Sequence, residues 1–146
     1  INNNNFKIFN IMAKKETSKM TKQELTNRDL LAISQGIAYI NSQETKVWHA
    51  LTKNMESISD IVTEVNGRHR KLTEELASKD DKGQPIRNQQ GQIEFGDNLE
   101  KANKKWESIM NEKVNVELLP IPLADLKDYG LDANMMKPLI GTLVVE

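Results

Sequence analysis

From Trp48 to Leu76 the chain repeats one spacing. Trp48, Leu51, Met55, Ile58, Val62, Val65, His69, Leu72 and Leu76 follow one another in alternating steps of three and four. Such a heptad seam predicts a long amphipathic helix with a coiled-coil-like stripe, over about 43–78. A stripe of that length must be covered, and this limits the chain to folds in which other elements or another molecule lie along it. A shorter stripe of the same kind, Leu30, Ile33, Ile37 and Ile40, predicts a first helix over about 28–40. Between the two stripes, Asn41-Ser42-Gln43-Glu44-Thr45 is polar throughout. Asn41 or Ser42 fits an N-cap, with Glu44 in the capping-box place. The alternative is one continuous helix with a stutter in the seam. At a rise of 1.5 Å per residue, about 50 helical residues would span roughly 75 Å and need a partner throughout, so the break is preferred.

Asp80-Asp81-Lys82-Gly83-Gln84-Pro85 stops the long helix. Ile93 and Phe95 then alternate with polar residues after the turn-like Asn88–Gly91, which predicts a small β-hairpin. Asp97 or Asn98 caps a third helix to about Glu112, with Leu99, Ala102, Trp106 and Ile109 on one stripe. This third helix runs antiparallel to the end of the long one. The expected fold is therefore mostly α (α+β): a long antiparallel helical hairpin with a small β-hairpin at its tip and a short mixed C-terminal segment. In that segment Val114–Leu118 alternates like a strand, and Pro120 and Pro122 end it. Leu123–Tyr129 forms a short helix closed by Gly130, Asp132 caps a further turn, and 139–145 is a last strand or an apolar tail.

The first residues have no helical or strand period. Residues 1–11 are Asn-, Ile- and Phe-rich, and Met12 and Met20 are two candidate starts, so 1–20 is expected to be a flexible N-terminal arm or upstream read-through. Residues 21–146 then form a single helical-hairpin domain, and no apolar run reaches membrane-spanning length.

Chemistry is sparse. Cysteine is absent, which removes disulfides, thiolate metal sites and cysteine catalysis. His49 and His69, twenty residues apart on one helix, stand about 30 Å apart and cannot share a metal. Asp80-Asp81-Lys82-Gly83 fails the spacing of a calcium loop in either register, which leaves a polar turn. Gly-rich phosphate loops, G-x-S-x-G and H-E-x-x-H are missing. No catalytic residue, cofactor or metal ligand is assigned, and the expectation is a non-enzyme. Lys plus Arg total 20 against 21 for Asp plus Glu, a balance that argues against a dedicated nucleic-acid binder. The densest basic run, Arg68-His69-Arg70-Lys71, reads as a phosphate or acidic-partner contact, or as a solvated face paired locally through Arg70–Glu74 and Lys71–Glu75.

The order of these features resembles a group of small bacteriophage and prophage proteins of unknown function. The resemblance runs over roughly 21–140. It rests on Leu25-Thr26-Asn27-Arg28-Asp29-Leu30-Leu31, on Arg70-Lys71-Leu72-Thr73-Glu74-Glu75, on the Lys79-Asp80-Asp81-Lys82-Gly83 turn, on Trp106 through Glu117, and on Pro120-Ile121-Pro122-Leu123-Ala124-Asp125-Leu126. Met110 and Lys113 depart from the Leu and Glu more frequent in that pattern. The resemblance implies a phage or prophage origin and supplies no catalytic residues. The expected function is a virion accessory or assembly factor acting through protein contacts, in the host cytoplasm or the virion. The alternatives are a regulator that binds a host or phage enzyme, and a weak nucleic-acid binder. The third helix covers less than half of the long one. Trp48, Leu51, Met55 and Ile58 therefore need cover from the first helix, the C-terminal tail or another chain. With Arg68, Arg70 and Lys71 they form the candidate contact set, for a virion or host protein or for a second copy in a homo-oligomer.

Overall fold

A computed structural model of the protein describes residues 19–41 and 47–146. The expected N-terminal arm, save Lys19 and Met20, and the Ser42–Glu44 part of the proposed cap lie outside these residues. The chain is mostly helical with a small antiparallel sheet of two strands. Strand β1 (Thr21–Thr26) leads into helix α1 (Asn27–Asn41), and α2 (Trp48–Leu76) follows. A short 3-10 turn (Gly96–Asn98) enters α3 (Leu99–Asn111), and β2 (Lys113–Leu118) returns to pair with β1. The C-terminal part holds β3 (Ile121–Pro122), a 3-10 segment (Leu123–Tyr129), α4 (Ala133–Met136), a 3-10 turn (Lys137–Leu139) and β4 (Val144–Val145), which pairs in parallel with β3. No helix among the described residues is long and apolar enough to cross a membrane.

Helix α1 starts where it does because Thr26 and Asp29 cap it reciprocally. Asp29 N–H donates to Thr26 Oγ1 (3.2 Å), and Thr26 N–H donates to Asp29 Oδ2 (3.0 Å). Its apolar stripe Leu30, Ile33, Ile37 and Ile40 is almost completely buried. These side chains share one core with Leu51 and Ile58 of α2, Val116 and Leu118 of β2, and Leu139, Leu143 and Val144 near the C-terminus. Each such side chain contributes about 2 kcal/mol on burial, so this body carries most of the stability. Close approach is built in at Gly36. A Cβ there would lie 2.5 Å from Leu139 Cδ1, and Leu139 is itself fully buried.

The long seam is only half right as a core pattern. The column Leu51, Ile58, Val65 and Leu72, one residue in seven, is buried. The alternate column, Trp48, Met55, Val62 and His69, is half-buried or exposed until Leu76. Asn54 occupies the inner face instead and is fully buried. Its Nδ2 donates to Leu119 O (2.9 Å) and its Oδ1 accepts from Leu119 N–H (2.6 Å). One side-chain amide thus satisfies both backbone groups where the chain leaves β2.

Beyond Val62, α2 leaves this core. Leu72, Leu76 and Ala102 form a second, much smaller core, with Phe95 and Trp106 packed against it. The expected C-terminal signals are in place: Gly130 is left-handed (φ 59°) after the 3-10 segment, and Asp132 caps α4, its side chain accepting from Asn134 N–H (2.7 Å).

Candidate partner-contact surface

The candidate contact residues fall in two regions of α2. At the head of α2, Trp48 is 64% exposed, the largest apolar side chain left open to solvent among the described residues. Its seam neighbours do not share that surface. Leu51 and Ile58 are fully buried, and Met55 is half-buried against the same core. The expectation that this stretch faces a partner is corrected for Leu51 and Ile58: the chain's own body covers them.

The basic run of α2 is split by helical geometry. Arg68 turns toward the end of α3 and grips Glu112 with both nitrogens, at 2.5 and 2.7 Å. This bidentate hydrogen bond, with the opposite charge adding to it, holds the Glu112 carboxyl below its ordinary range and raises the Arg68 guanidinium above its own. Arg68 is therefore committed within the chain rather than free to bind a phosphate. Lys71 lies beside it on a shallow groove of about 330 Å³ between α2 and α3, with Glu75, Lys105 and Ser108 also lining it. His69 also packs on α3, edge to face with Trp106 at 4.4 Å. Arg70 is exposed. The local pairs Arg70–Glu74 and Lys71–Glu75 are not among the ion pairs of the described residues; the ones that bind α3 to the rest cross between elements, Arg68–Glu112 and Arg28–Glu107.

Between α2 and α3 the chain makes two turns of one design, eight residues apart. Asp80 Oδ1 accepts from Lys82 N–H and Gln84 N–H (both 2.9 Å), and Asn88 Oδ1 accepts from Gln90 N–H (3.0 Å) and Gln92 N–H (2.9 Å). Gly83 and Gly91 supply the left-handed residue, at φ 75° and 78°. Isolated bridges close the two turns, Lys79 with Pro85 and Arg87 with Ile93, in place of a regular ladder. Three backbone bonds then tie the segment into a ring: Ile86 N–H to Ser78 O (2.8 Å), Glu94 N–H to Ile86 O (2.9 Å) and Ser78 N–H to Glu94 O (2.8 Å). The Asp80 carboxylate is occupied by backbone donors, as a polar turn requires.

Several of these residues escape a reading of the sequence by period alone. Glu112 has no local mark that pairs it with Arg68, 44 positions away. Asn54 looks like one more polar residue beside the seam. The repeated turn did leave a signal: Asp80 and Asn88, Gly83 and Gly91, and Gln84 and Gln92 each recur at a spacing of eight. Among the described residues no group of three or more His, Asp or Glu side chains could hold a metal ion. No protein-family model, curated protein or solved structure matches the chain.

Proposed function

We propose that this chain is a non-enzymatic phage protein that works through protein–protein contacts, as a virion accessory or assembly factor. The observation that carries the contact role is Trp48, whose indole stays 64% exposed at the head of α2 over a fully buried Leu51. Aromatic side chains of this kind dominate the energetics of protein interfaces. The phage setting is supported by the resemblance of residues 21–140 to small phage proteins. We read α2, the paired turns and α3 as a helical hairpin with a folded tip, standing out from the main body on a small core of its own.

The host cytoplasm during assembly and the finished particle are the two places this role requires. Mass spectrometry of purified virions, grown with the wild-type chain or with Trp48→Ala, tests the reading. The chain is expected at a fixed copy number in wild-type particles or their assembly intermediates, and depleted in the variant. Its absence from both, with capture of a host enzyme instead, would replace assembly with regulation of that enzyme.

A further inference from the structure

A sheet of two strands has two outer edges, and here each strand is one. Hydrogen-bonded pairs alternate along an antiparallel ladder. The bond from Asn27 N–H to Glu112 O (2.9 Å) continues the register of β1 on β2 and marks that pair as a bonded one. At steps of two, Leu25 with Val114, Gln23 with Val116 and Thr21 with Leu118 are then the bonded pairs. The backbone groups of Lys22, Glu24 and Thr26 therefore point outward from β1, and those of Lys113, Asn115, Glu117 and Leu119 outward from β2. Two side chains agree with this assignment. Asp29 takes the outward N–H of Thr26, and Asn54 takes the outward N–H and C=O of Leu119.

The edges differ in what lies beside them. Helix α2 reaches both ends of the β2 edge, through Asn54 at Leu119 and Arg68 at Glu112. Beside β1, the outward N–H and C=O groups of Lys22 and Glu24 have no hydrogen-bond partner among the described residues. Unpaired edge groups are a template for another strand.

We propose that this edge pairs with β1 of a second copy of the chain, antiparallel about a twofold axis at Gln23. The inference rests on the reading of the chain as one that works by protein contact, and it gives that reading a surface and an occupant. Charge complementarity picks the occupant. With Gln23 on the axis, Lys22 stands opposite Glu24 of the second copy, and Glu24 opposite its Lys22. These two outward-facing residues make the bonded pairs of the new ladder. Across four strands one row then reads Glu117, Lys22, Glu24 of the second copy and the uncharged Asn115 of the second copy, so its three charges alternate in sign, with Glu24 also ion-paired to Lys113 of its own chain (3.3 Å). Moving the axis to Lys22 puts lysine against lysine, and moving it to Glu24 puts glutamate against glutamate. Opposite charges directly across a ladder stabilise it and like charges destabilise it, so one register is favoured over both neighbours. Met20, 39% exposed, stands opposite Thr26 of the second copy in that register. Charged side chains on an edge ordinarily keep strands apart. Here Lys22 and Glu24 complement themselves, so they select a register instead of blocking one.

The test is light scattering and sedimentation of the full chain, wild type and with Lys22→Glu or Glu24→Lys. Both positions are exposed, so neither change touches the core, and circular dichroism checks that each variant is folded. The wild type is expected to dimerise. Each variant sets like charges against each other and is expected to weaken the dimer at least tenfold. An equimolar mixture of the two restores Glu–Lys pairs on both sides of the axis and is expected to recover a heterodimer. Slow amide exchange at Lys22 and Glu24 in the wild-type dimer places the contact at this edge. A wild type that stays monomeric at all concentrations, or a dimer indifferent to both substitutions and to mixing, overturns the proposal. A monomer that still binds another protein through Trp48 would overturn self-pairing and leave the contact reading standing.

Discussion

Asn54 ties α2 to the chain just after β2 through a buried side-chain amide. It is fully buried on the inner face of α2, and both halves of its amide are bonded to Leu119. Replacement by Ala leaves a buried backbone N–H and C=O without partners, each costing about 1–3 kcal/mol. Asn54→Ala is expected to lower stability by about 3 kcal/mol in urea unfolding, while Asn54→Asp retains an acceptor for Leu119 N–H but loses the donor to Leu119 O. A loss below about 0.5 kcal/mol for the alanine variant would mean that water reaches Leu119 and that the clamp is not structural. Gly36 is the apolar counterpart, a position where even one methyl group meets the buried Leu139 side chain.

Helix α3 is held more by polar contacts than by burial. Only Ala102 is buried on it, and Leu99 at its start is 52% exposed. Its far end is pinned by Asn27, whose N–H donates to Glu112 O (2.9 Å) and whose Nδ2 donates to Ile109 O (2.8 Å), and by Arg28–Glu107 and Arg68–Glu112. The Glu112 carboxyl is lowered in the folded chain by its hydrogen bond to Arg68. A group lowered on folding contributes stability that is present above its unfolded value and lost as pH falls through the folded one. Acidification through and below the ordinary glutamate range, about 4, is therefore expected to loosen the end of α3 before the main body. Hydrogen exchange along Lys105–Asn111 should accelerate there in the wild type, and Glu112→Gln should already exchange faster at neutral pH with little further change in acid. Equal acid responses in both chains would assign the loosening to other carboxylates.

Across the whole molecule, legibility follows the range of the interaction. The helices were readable because Leu30, Ile33, Ile37 and Ile40, and the column Leu51 to Leu72, bury in the period of the helix they belong to. The strand after Glu112 and the Gly130 terminator likewise have local causes. Strand β1 was not readable. Thr21-Lys22-Gln23-Glu24-Leu25-Thr26 has one apolar residue, and it is a strand because β2 pairs with it from some ninety positions away. The cover over Leu51 and Ile58 comes in part from α1, one of the covers the sequence offered, and in part from β2, which only tertiary structure brings onto α2. Of the candidate contact set, helical geometry divides what sequence adjacency had grouped, sending Arg68 to Glu112 and His69 to Trp106 and leaving Trp48 as the exposed apolar member.

That residue is where the molecule's role is best tested. The full chain and its Trp48→Ala variant, matched for fold by circular dichroism, would be used to capture proteins from phage-infected cells, with quantitative mass spectrometry of what each retains. The expected result is a defined virion protein held by the wild type and reduced at least tenfold by Trp48→Ala, about 1.4 kcal/mol or more of binding energy. Equal retention by both chains, or no virion protein on either, would contradict a contact role anchored at the head of α2.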